Sequence, residues 1–356
     1  MTATAAQNST DQTSTDRATT GNTPTGSGRQ RAAARPPWLS AHNLERFALP
    51  GAWVLLLLAF SAILPGNFAT AGNFQNIFGS QAVLLIMAAG SLIPFTAGEY
   101  DMSIASTMSL SAMTLSVLNV QHGVPLAAGI AAAVAVGLLA GALNGFFVVV
   151  LKVSSLIATL GSGTLFLGIV YWMSNSSTVT GIDRGLSTAT AGSRVLFGLQ
   201  PQFFYGLAVV AVIAFVLSRT PYGRRLLFVG QGRQVAHLSG LKVDRIRAGS
   251  FIVSGLVMSL AGIVYAGSLN GADPSSGQSF LMPALAACFL GSTAFIPGRF
   301  NAWGTLVAVY FLYSGVVGLQ MLGARNFVQD IFYGGALIAA VALSQAIRHK
   351  NAATRS

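Results

Sequence analysis

Long apolar runs separated by short polar stretches dominate the chain after residue 46. Ten such runs occur, each 15 to 27 residues long. A helix needs about 20 apolar residues to cross the roughly 30 Å hydrocarbon core of a bilayer, so the pattern predicts about ten transmembrane helices. The runs are Phe47–Leu64, Ile77–Ala97, Met102–Val120, Val124–Val150, Leu156–Met173, Phe203–Leu217, Phe251–Leu269, Leu281–Ile296, Trp303–Leu322 and Phe327–Ile347.

The composition supports the same interpretation. Of the 356 residues, 53% are hydrophobic and 8% are charged, and the mean hydropathy is +0.64. A soluble domain carries about a quarter charged residues, so too little polar surface remains to cover a water-soluble globule. We therefore predict an all-α polytopic helical bundle over residues 47–347. Glycines recur at four- or eight-residue spacing at Gly129, Gly137, Gly141 and Gly145 and predict a helix-packing face.

The two ends of the chain are polar. Residues 1–46 are rich in Ser, Thr, Gly, Ala and Pro, which predicts a disordered cytoplasmic tail, and residues 348–356 form a second short tail. The first apolar run begins after more than forty residues, too late for the core of a cleaved signal peptide. We therefore expect the first helix to be retained.

Charged residues lie between the apolar runs and report the topology. If both termini are cytoplasmic, the loops place 17 of the 20 Lys and Arg residues in the cytoplasm and 3 outside. Basic residues are retained preferentially on the cytoplasmic side, so this split favours ten spans with both ends inside. The net charge of +11 follows from these loops and does not indicate nucleic-acid binding.

Motifs for catalysis and cofactor binding are missing from the sequence. None of the three lysines follows a glycine, so there is no phosphate-binding P-loop, and neither G-x-S-x-G nor H-E-x-x-H occurs. The single cysteine, Cys288, lies in an apolar run, and the 4 histidines lie in separate segments without ligand spacing. We therefore expect a non-catalytic chain without a metal site or bound cofactor.

The most unusual polar feature is the pair Glu99 and Asp101 between two apolar runs. Ionisable groups in membrane segments cost a few kcal/mol each unless they are paired or hydrated. One interpretation is a helix break that lines or gates a pathway. The other is a short loop in which Asp101 caps the next helix. The two are not exclusive, and the sequence favours neither.

A second feature is the loop 218–247, which holds seven of the twenty Lys and Arg residues. Gly232 and Gly240 bracket a short predicted helix on which Val235 and Leu238 share one side. Such a helix could dock a soluble partner. Alternatively, the loop could be a solvated basic segment that only fixes orientation.

The order of short motifs resembles the permeases of ribose, xylose and galactose type ABC importers. The matching stretches are Gly98 to Ser106, Asn144-Gly145, Leu156 to Gly161, Gly223-Arg224, Leu238 to Gly240, Ser254 to Leu256, Leu260 to Gly262, Leu290 to Ser292, Gly298-Arg299 and Gly304 to Leu306. Members of this family usually have Gly-Gly-Ile-Asp-Leu-Ser where this chain has Ala97 to Ser103, so Glu99 is an additional carboxylate.

The resemblance implies a type II importer-like permease in a bacterial plasma membrane, which pairs with a second copy, expected to be identical. It further implies cytoplasmic ATPase subunits that bind ATP and Mg, an extracytoplasmic solute-binding protein, and a small sugar as cargo. By resemblance, the segment from Arg233 to Gly240 is the coupling helix. The expected coupling residues are Arg224, Arg225, Arg233, Val235, Leu238, Ser239 and Gly240. The expected pathway or gate residues are Glu99, Asp101, Ser103 and Asn144.

A secondary transporter or channel is the alternative function. It would use Glu99, Asp101 or Asp330 as an intramembrane proton or ion relay. The basic loop 218–247 separates the two hypotheses, because an ATPase-driven permease needs a docking element and a self-contained carrier does not.

Overall fold

A computed structural model describes the backbone of residues 41–192 and 194–353 and the side chains of residues 46–192 and 194–342. Within these residues the fold is a bundle of helices with one pair of two-residue strands, which confirms the predicted all-α polytopic class. The helices are α1 (Ala41–Ile63), α2 (Ala71–Ser80), α3 (Ala82–Thr96), α4 (Ile104–Ser116), α5 (Leu126–Gly145), α6 (Ser155–Ser174), α7 (Arg184–Ser187), α8 (Pro201–Arg219), α9 (Pro221–Gln231), α10 (Arg233–Leu238), α11 (Val243–Ser268), α12 (Gln278–Gly291), α13 (Ala302–Met321) and α14 (Phe327–Ala353).

Each of the ten apolar runs coincides with a helix or with a pair of consecutive helices. Within the described residues, six helices are long and apolar enough to cross a membrane, or seven if α2 and α3, bent by 41°, form one span. Helices α12 and α14 are shorter apolar segments within the described side chains, and α4 has 13 residues, continued by a π-helical turn at Val117–Gln121. Among the described residues, fewer helices meet this criterion of length and composition than there are apolar runs.

Helix boundaries differ from the predicted ones at both ends. Helix α1 begins at Ala41, within the stretch predicted as a tail, and α14 continues to Ala353. The polar residues of the predicted N-terminal tail up to Ser40 lie outside the described residues. A helix can extend past its apolar run because its backbone hydrogen bonds do not depend on side-chain polarity.

The core is built around α4, in which every residue is buried. Helix α11 packs against α3, α4 and α5. The predicted glycine face is confirmed: a Cβ at Gly137 would meet the Gly255 carbonyl oxygen at 2.5 Å, and a Cβ at Gly145 would meet Ala248 of α11 at 3.2 Å. These glycines let α5 and α11 approach closely, as in other helix pairs packed within lipid.

Two loops meet at the C-terminal end of α11. Strand β1 (Val179–Thr180) pairs antiparallel with β2 (Gly271–Ala272), so that Val179 lies opposite Ala272. Next to this pair, the Thr178 hydroxyl donates to Asp273 Oδ2 at 2.6 Å. The pairing joins the segment after α6 to the segment after α11.

Candidate functional site

The chain leaves helical geometry between α3 and α4, and this helix break comprises residues 97–103. Helix α3 ends in a Schellman motif, in which the Gly98 amide donates to the Phe95 carbonyl at 3.1 Å and the Glu99 amide to the Pro94 carbonyl at 2.9 Å. Gly98 has φ +78°, the left-handed conformation that this motif requires and that glycine adopts without strain. The local sequence therefore stops the helix and turns the chain at Glu99.

Glu99 is buried and bonds two arginines that are distant in sequence. Its Oε1 accepts a hydrogen bond from Arg233 Nη2 at 2.8 Å and another from Arg247 Nε. The Glu99 side chain is 1% exposed, whereas Arg247 is 14% and Arg233 50% exposed. A buried carboxylate needs such partners because desolvation disfavours its charge. Glu99 thus joins the break to the first residue of α10 and to the second turn of α11.

Asp101, two residues further, is also buried but has no ion-pair partner among the described residues. Its Oδ1 accepts from the Ser103 amide at 3.0 Å and the Ser103 hydroxyl at 2.6 Å, and its Oδ2 accepts from the Ser254 hydroxyl at 3.2 Å. This Asx-type turn leads directly into α4. The prediction that Asp101 caps the next helix is therefore wrong: Ser103 is the N-cap residue, and Asp101 lies two residues before it and bonds the Ser103 amide.

Ser103 and Asn144 extend the network to two further helices. Asn144 Nδ2 donates to Ser103 Oγ at 2.7 Å, and the Ser162 hydroxyl of α6 donates to Asn144 Oδ1 at 2.5 Å. The Met102 amide donates to Thr159 Oγ1 at 2.9 Å. The four predicted pathway residues therefore lie close together, buried in a junction of α4, α5, α6 and α11. Their role in transport stays a prediction.

Four residues of this network are not among the candidates named from the sequence. Arg247, Thr159 and Ser254 bond the break, and Ser162 bonds Asn144. Thr159 and Ser254 belong to stretches that matched the family motifs, and Arg247 is the last basic residue of the loop 218–247. A buried carboxylate requires a partner, so a search for cations near the start of a neighbouring helix could have singled out Arg247. Ser162, within an apolar helix, carries no comparable local signal.

The predicted docking helix is present as α10. Ala236 is buried against Val229 and Val243, which holds the helix on the body of the protein. Val235 and Leu238 point away from this contact and are 58% and 86% exposed. Ser239 donates to the Val235 carbonyl at 2.8 Å, and Gly240 ends the segment with φ +78°.

Helix α9 contacts the break directly through backbone. A Cβ at Gly98 would lie 3.4 Å from Gly230 Cα, and a Cβ at Gly230 would overlap the Thr96 carbonyl oxygen. No side chain separates these two segments. The segment that carries α10 is therefore packed on the end of α3 as well as bonded to it through Arg233.

Arg224 and Arg225 diverge into two separate cavities. Arg224 lines a cavity of about 700 Å³ together with Arg46 and Arg299. Arg225 lines one of about 330 Å³ with Lys242 and Arg245. The two arginines, both expected coupling residues, therefore line different cavities, because successive residues of a helix point in different directions. Their coupling role stays a prediction.

Asp330, the third carboxylate of the alternative hypothesis, is exposed in the first turn of α14 and is not bonded to Glu99 or Asp101. Among the described residues, no three His, Cys, Asp or Glu side chains are grouped as metal ligands. Cys288 is buried and donates to the Ala88 carbonyl at 3.2 Å. The two carboxylates of the break are thus bonded to arginines and to serine groups, and Asp330 and Cys288 are not part of this network.

Comparison with known proteins identifies the family. The family described as branched-chain amino acid transport system / permease component matches residues 73–341. The chain belongs to this permease family. The xylose transport system permease protein XylH of Escherichia coli is 26% identical over 88% of this chain and 95% of its own length. The autoinducer 2 import system permease protein LsrC of Yersinia pseudotuberculosis is 28% identical over 80% of this chain and 82% of its own length.

No solved structure matches this permease. Its resemblance to the sugar-type ABC permeases is confirmed, because the matched region covers the helices from α2 to α14 and the relatives match over most of their length. The chain is thus a multi-pass membrane permease, and the break, α10 and the arginine cavities all lie within or beside the matched region.

Proposed function

We propose that this permease is the membrane-spanning subunit of an ATP-driven importer whose cargo is a small sugar, expected to be a monosaccharide. The similarity to a protein named as a xylose permease supports a sugar as cargo. In this proposal a solute-binding protein delivers the sugar, two permease copies enclose the pathway, and separate ATPase subunits bind ATP and Mg. The chain itself is non-catalytic, in keeping with the lack of a P-loop in its sequence.

The observation that carries the coupling proposal is the double attachment of α10. One side presents Val235 and Leu238 to the outside, where they can enter a groove of an ATPase. The first residue of the same helix, Arg233, bonds Glu99 at the break. A displacement of α10 is therefore carried to the junction of α3 and α4 through an ion pair, and not only along the covalent chain.

The direct backbone contact strengthens this route. Because Gly230 packs against Thr96 and Gly98 without an intervening side chain, α9 cannot move towards α3 without displacing it. The buried bonds of Asp101, Ser103 and Asn144 then extend the junction into α5 and α11. In the proposed mechanism, ATPase motion reaches the helices around the pathway through this junction.

The coupling proposal is tested with the double variant Val235→Asp, Leu238→Asp. Both side chains are exposed, so the variant should insert and fold while losing the apolar surface that an ATPase would cover. We expect co-purification of the ATPase to fall on the order of tenfold or more, together with binding-protein-stimulated ATP hydrolysis. Arg225→Gln should have a much smaller effect, because single exposed charges contribute little.

A matched control is Val195→Asp, Leu196→Asp, which changes two exposed apolar residues (63% and 55% exposed) in the loop before α8. This variant should retain its ATPase. If both double variants retain it equally, α10 is not the docking element. Sugar uptake that continues without ATP or an ATPase would instead support the secondary-transporter alternative.

We further propose that both termini are cytoplasmic, on the basis of the 17 to 3 distribution of Lys and Arg. Single cysteines at Ser187 and Ser275 should react with a membrane-impermeant reagent added from outside. The native Cys288 is buried and should remain silent in this assay. Labelling of either introduced cysteine only from the cytoplasmic side would contradict this topology.

A further inference from the structure

Three arginines from separate segments surround one cavity of about 700 Å³. Arg46 belongs to α1, Arg224 to α9, and Arg299 to the loop between α12 and α13. All three are exposed, and no Asp or Glu lines the cavity. Among the described residues, none of the three pairs with a carboxylate. The mouth of the cavity therefore carries a concentrated positive charge.

The arginine-bearing segments are held in place by other groups. The Phe295 amide donates to the Arg46 carbonyl at 2.9 Å, which ties the loop after α12 to α1. Asn301 Nδ2 lies within hydrogen-bond distance of the Gly291 and Ala294 carbonyls, at 3.1 and 2.9 Å, which fixes the loop that carries Arg299. The cavity is thus bounded by a constrained loop.

The inner wall of the cavity is apolar and belongs to membrane-crossing helices. Leu217 comes from α8, and Leu306 and Val307 come from α13. Both helices are long and apolar enough to span a bilayer. Trp303, half exposed at the start of α13, has the amphipathic character of residues at the membrane interface. The cavity therefore combines a cationic mouth with an apolar wall that runs towards the hydrocarbon.

We propose that this cavity binds an anionic phospholipid. The phosphate would lie among Arg46, Arg224 and Arg299, because guanidinium groups bind phosphate oxygens with paired hydrogen bonds. An acyl chain would follow Leu217, Leu306 and Val307. The volume lies within the range of about 300–1,000 Å³ found for ligand sites, and basic pockets between membrane helices bind anionic lipid headgroups.

The apolar wall decides between a lipid and a soluble partner. An ATPase could reach the arginines but could not follow α8 and α13 into the bilayer. A lipid satisfies both parts of the site. Because Thr96, the last residue of α3, also lines the cavity, a bound lipid would connect α1, α9 and the α12–α13 loop beside the helix break. This proposal does not depend on the cargo or on the ATPase.

The test measures bound lipid on purified full-length permease by native mass spectrometry, together with the thermal shift caused by added phosphatidylglycerol. Phosphatidylcholine and inorganic phosphate serve as comparisons. The variant is Arg224→Gln, Arg299→Gln. The control Arg225→Gln, Arg245→Gln removes the same charge from the neighbouring cavity of about 330 Å³.

We expect phosphatidylglycerol to stabilise the wild type and the control. Phosphatidylcholine and inorganic phosphate should each give a smaller thermal shift. The variant at Arg224 and Arg299 should lose affinity for phosphatidylglycerol on the order of tenfold, since each basic residue near an anionic lipid contributes measurably. Equal retention by both double variants would overturn the proposal. An equal shift with inorganic phosphate would also overturn it, by showing that the acyl chain is not recognised.

A second variant, Val307→Trp, keeps all three arginines and fills the apolar wall. It should also lower phosphatidylglycerol binding, and it keeps the test decisive if the arginine variant does not fold. Unchanged binding by Val307→Trp would contradict the acyl-chain site. The variant Arg224→Gln, Arg299→Gln could also lose the ATPase while binding lipid as the wild type does. That result would assign the cavity to a protein partner and overturn the proposal.

Discussion

Two Asp-x-Ser turns have the same internal bonds: one contacts α11 near its middle, through Ser254, and the other follows the C-terminal end of α11. In Asp101-Met102-Ser103, Oδ1 accepts from the serine amide at 3.0 Å and its hydroxyl at 2.6 Å. In Asp273-Pro274-Ser275, the corresponding distances are 2.9 and 2.6 Å. Each turn precedes a helix, α4 in the first case and α12 in the second. The short sequence pattern therefore produces the same turn in both places.

Their surroundings differ. Asp101 is 2% exposed and lies two residues from Glu99 with its two arginines. Asp273 lies near the surface and also accepts from the Thr178 and Ser276 hydroxyls. Hydrogen bonds from Ser275 and Thr178 lower the pKa of Asp273 to about 2. The Asp-x-Ser pattern therefore sets the local backbone conformation. Burial and neighbouring cations determine how strongly a substitution lowers stability or uptake.

The largest effect is expected for Glu99→Gln. It leaves the guanidinium of Arg247, 14% exposed, without its buried counter-charge, and breaking a buried ion pair costs about 3 kcal/mol. We expect lower thermal stability in detergent and a loss of ATP-dependent uptake of about tenfold or more, with reduced but detectable protein in the membrane. Adding Arg247→Gln should restore stability more than uptake, because the link between α10 and the break stays incomplete.

Asp244→Asn is the matched control for this prediction. Asp244 Oδ1 lies 3.8 Å from Arg247 Nη1, but the Asp244 side chain is 75% exposed. An exposed pair contributes little, so this variant should resemble the wild type. Equal losses in Asp244→Asn and Glu99→Gln would show that burial does not distinguish the two carboxylates.

Gly230→Ala should have the next largest effect. Its new Cβ would overlap the Thr96 carbonyl oxygen, and overpacking of a close contact costs about 1–3 kcal/mol. We expect reduced uptake and a lower melting temperature. Gly161→Ala in α6, where a Cβ meets no heavy atom within 4 Å, should be neutral. If Gly230→Ala is as neutral as Gly161→Ala, the direct contact between α9 and the break is not required.

Asp101→Asn should have a smaller effect than Glu99→Gln. Asparagine keeps an oxygen that can accept from Ser103, and its amide can donate to the Ser254 hydroxyl, so the loss is about 1 kcal/mol. Uptake should fall severalfold while membrane abundance stays near normal. A larger loss in Asp101→Asn than in Glu99→Gln would show that a free charge at Asp101 is essential, as an ion relay would require.

Asp273→Asn should have the smallest effect near neutral pH. Because folding lowers the pKa of Asp273 from 3.8 to about 2, its contribution to stability is present above the unfolded pKa and is lost as pH falls through the folded pKa. The difference in melting temperature between wild type and variant should therefore shrink on acidification from about pH 5 to about pH 2. A difference in melting temperature that grows on acidification would contradict this prediction.

The sequence determined the class of protein and its local structure. The spacing of apolar runs predicted each major helix, because hydrocarbon selects continuous apolar segments whose backbone groups are bonded internally. Glycines at four- or eight-residue spacing predicted the α5 face, and Gly232 and Gly240 predicted the limits of α10. These features depend on residues within a few positions of each other, so they can be derived from the chain alone.

The tertiary structure decided which distant groups meet. Glu99 bonds Arg233 and Arg247, which follow it by 134 and 148 positions, and no local pattern identifies them as partners. The tertiary structure also brought Ser254 of α11 to Asp101 and placed no cation beside that carboxylate among the described residues. Such pairings depend on the packing of α9, α10 and α11 against the end of α3, and packing is a property of the whole bundle that hydropathy along the chain does not encode.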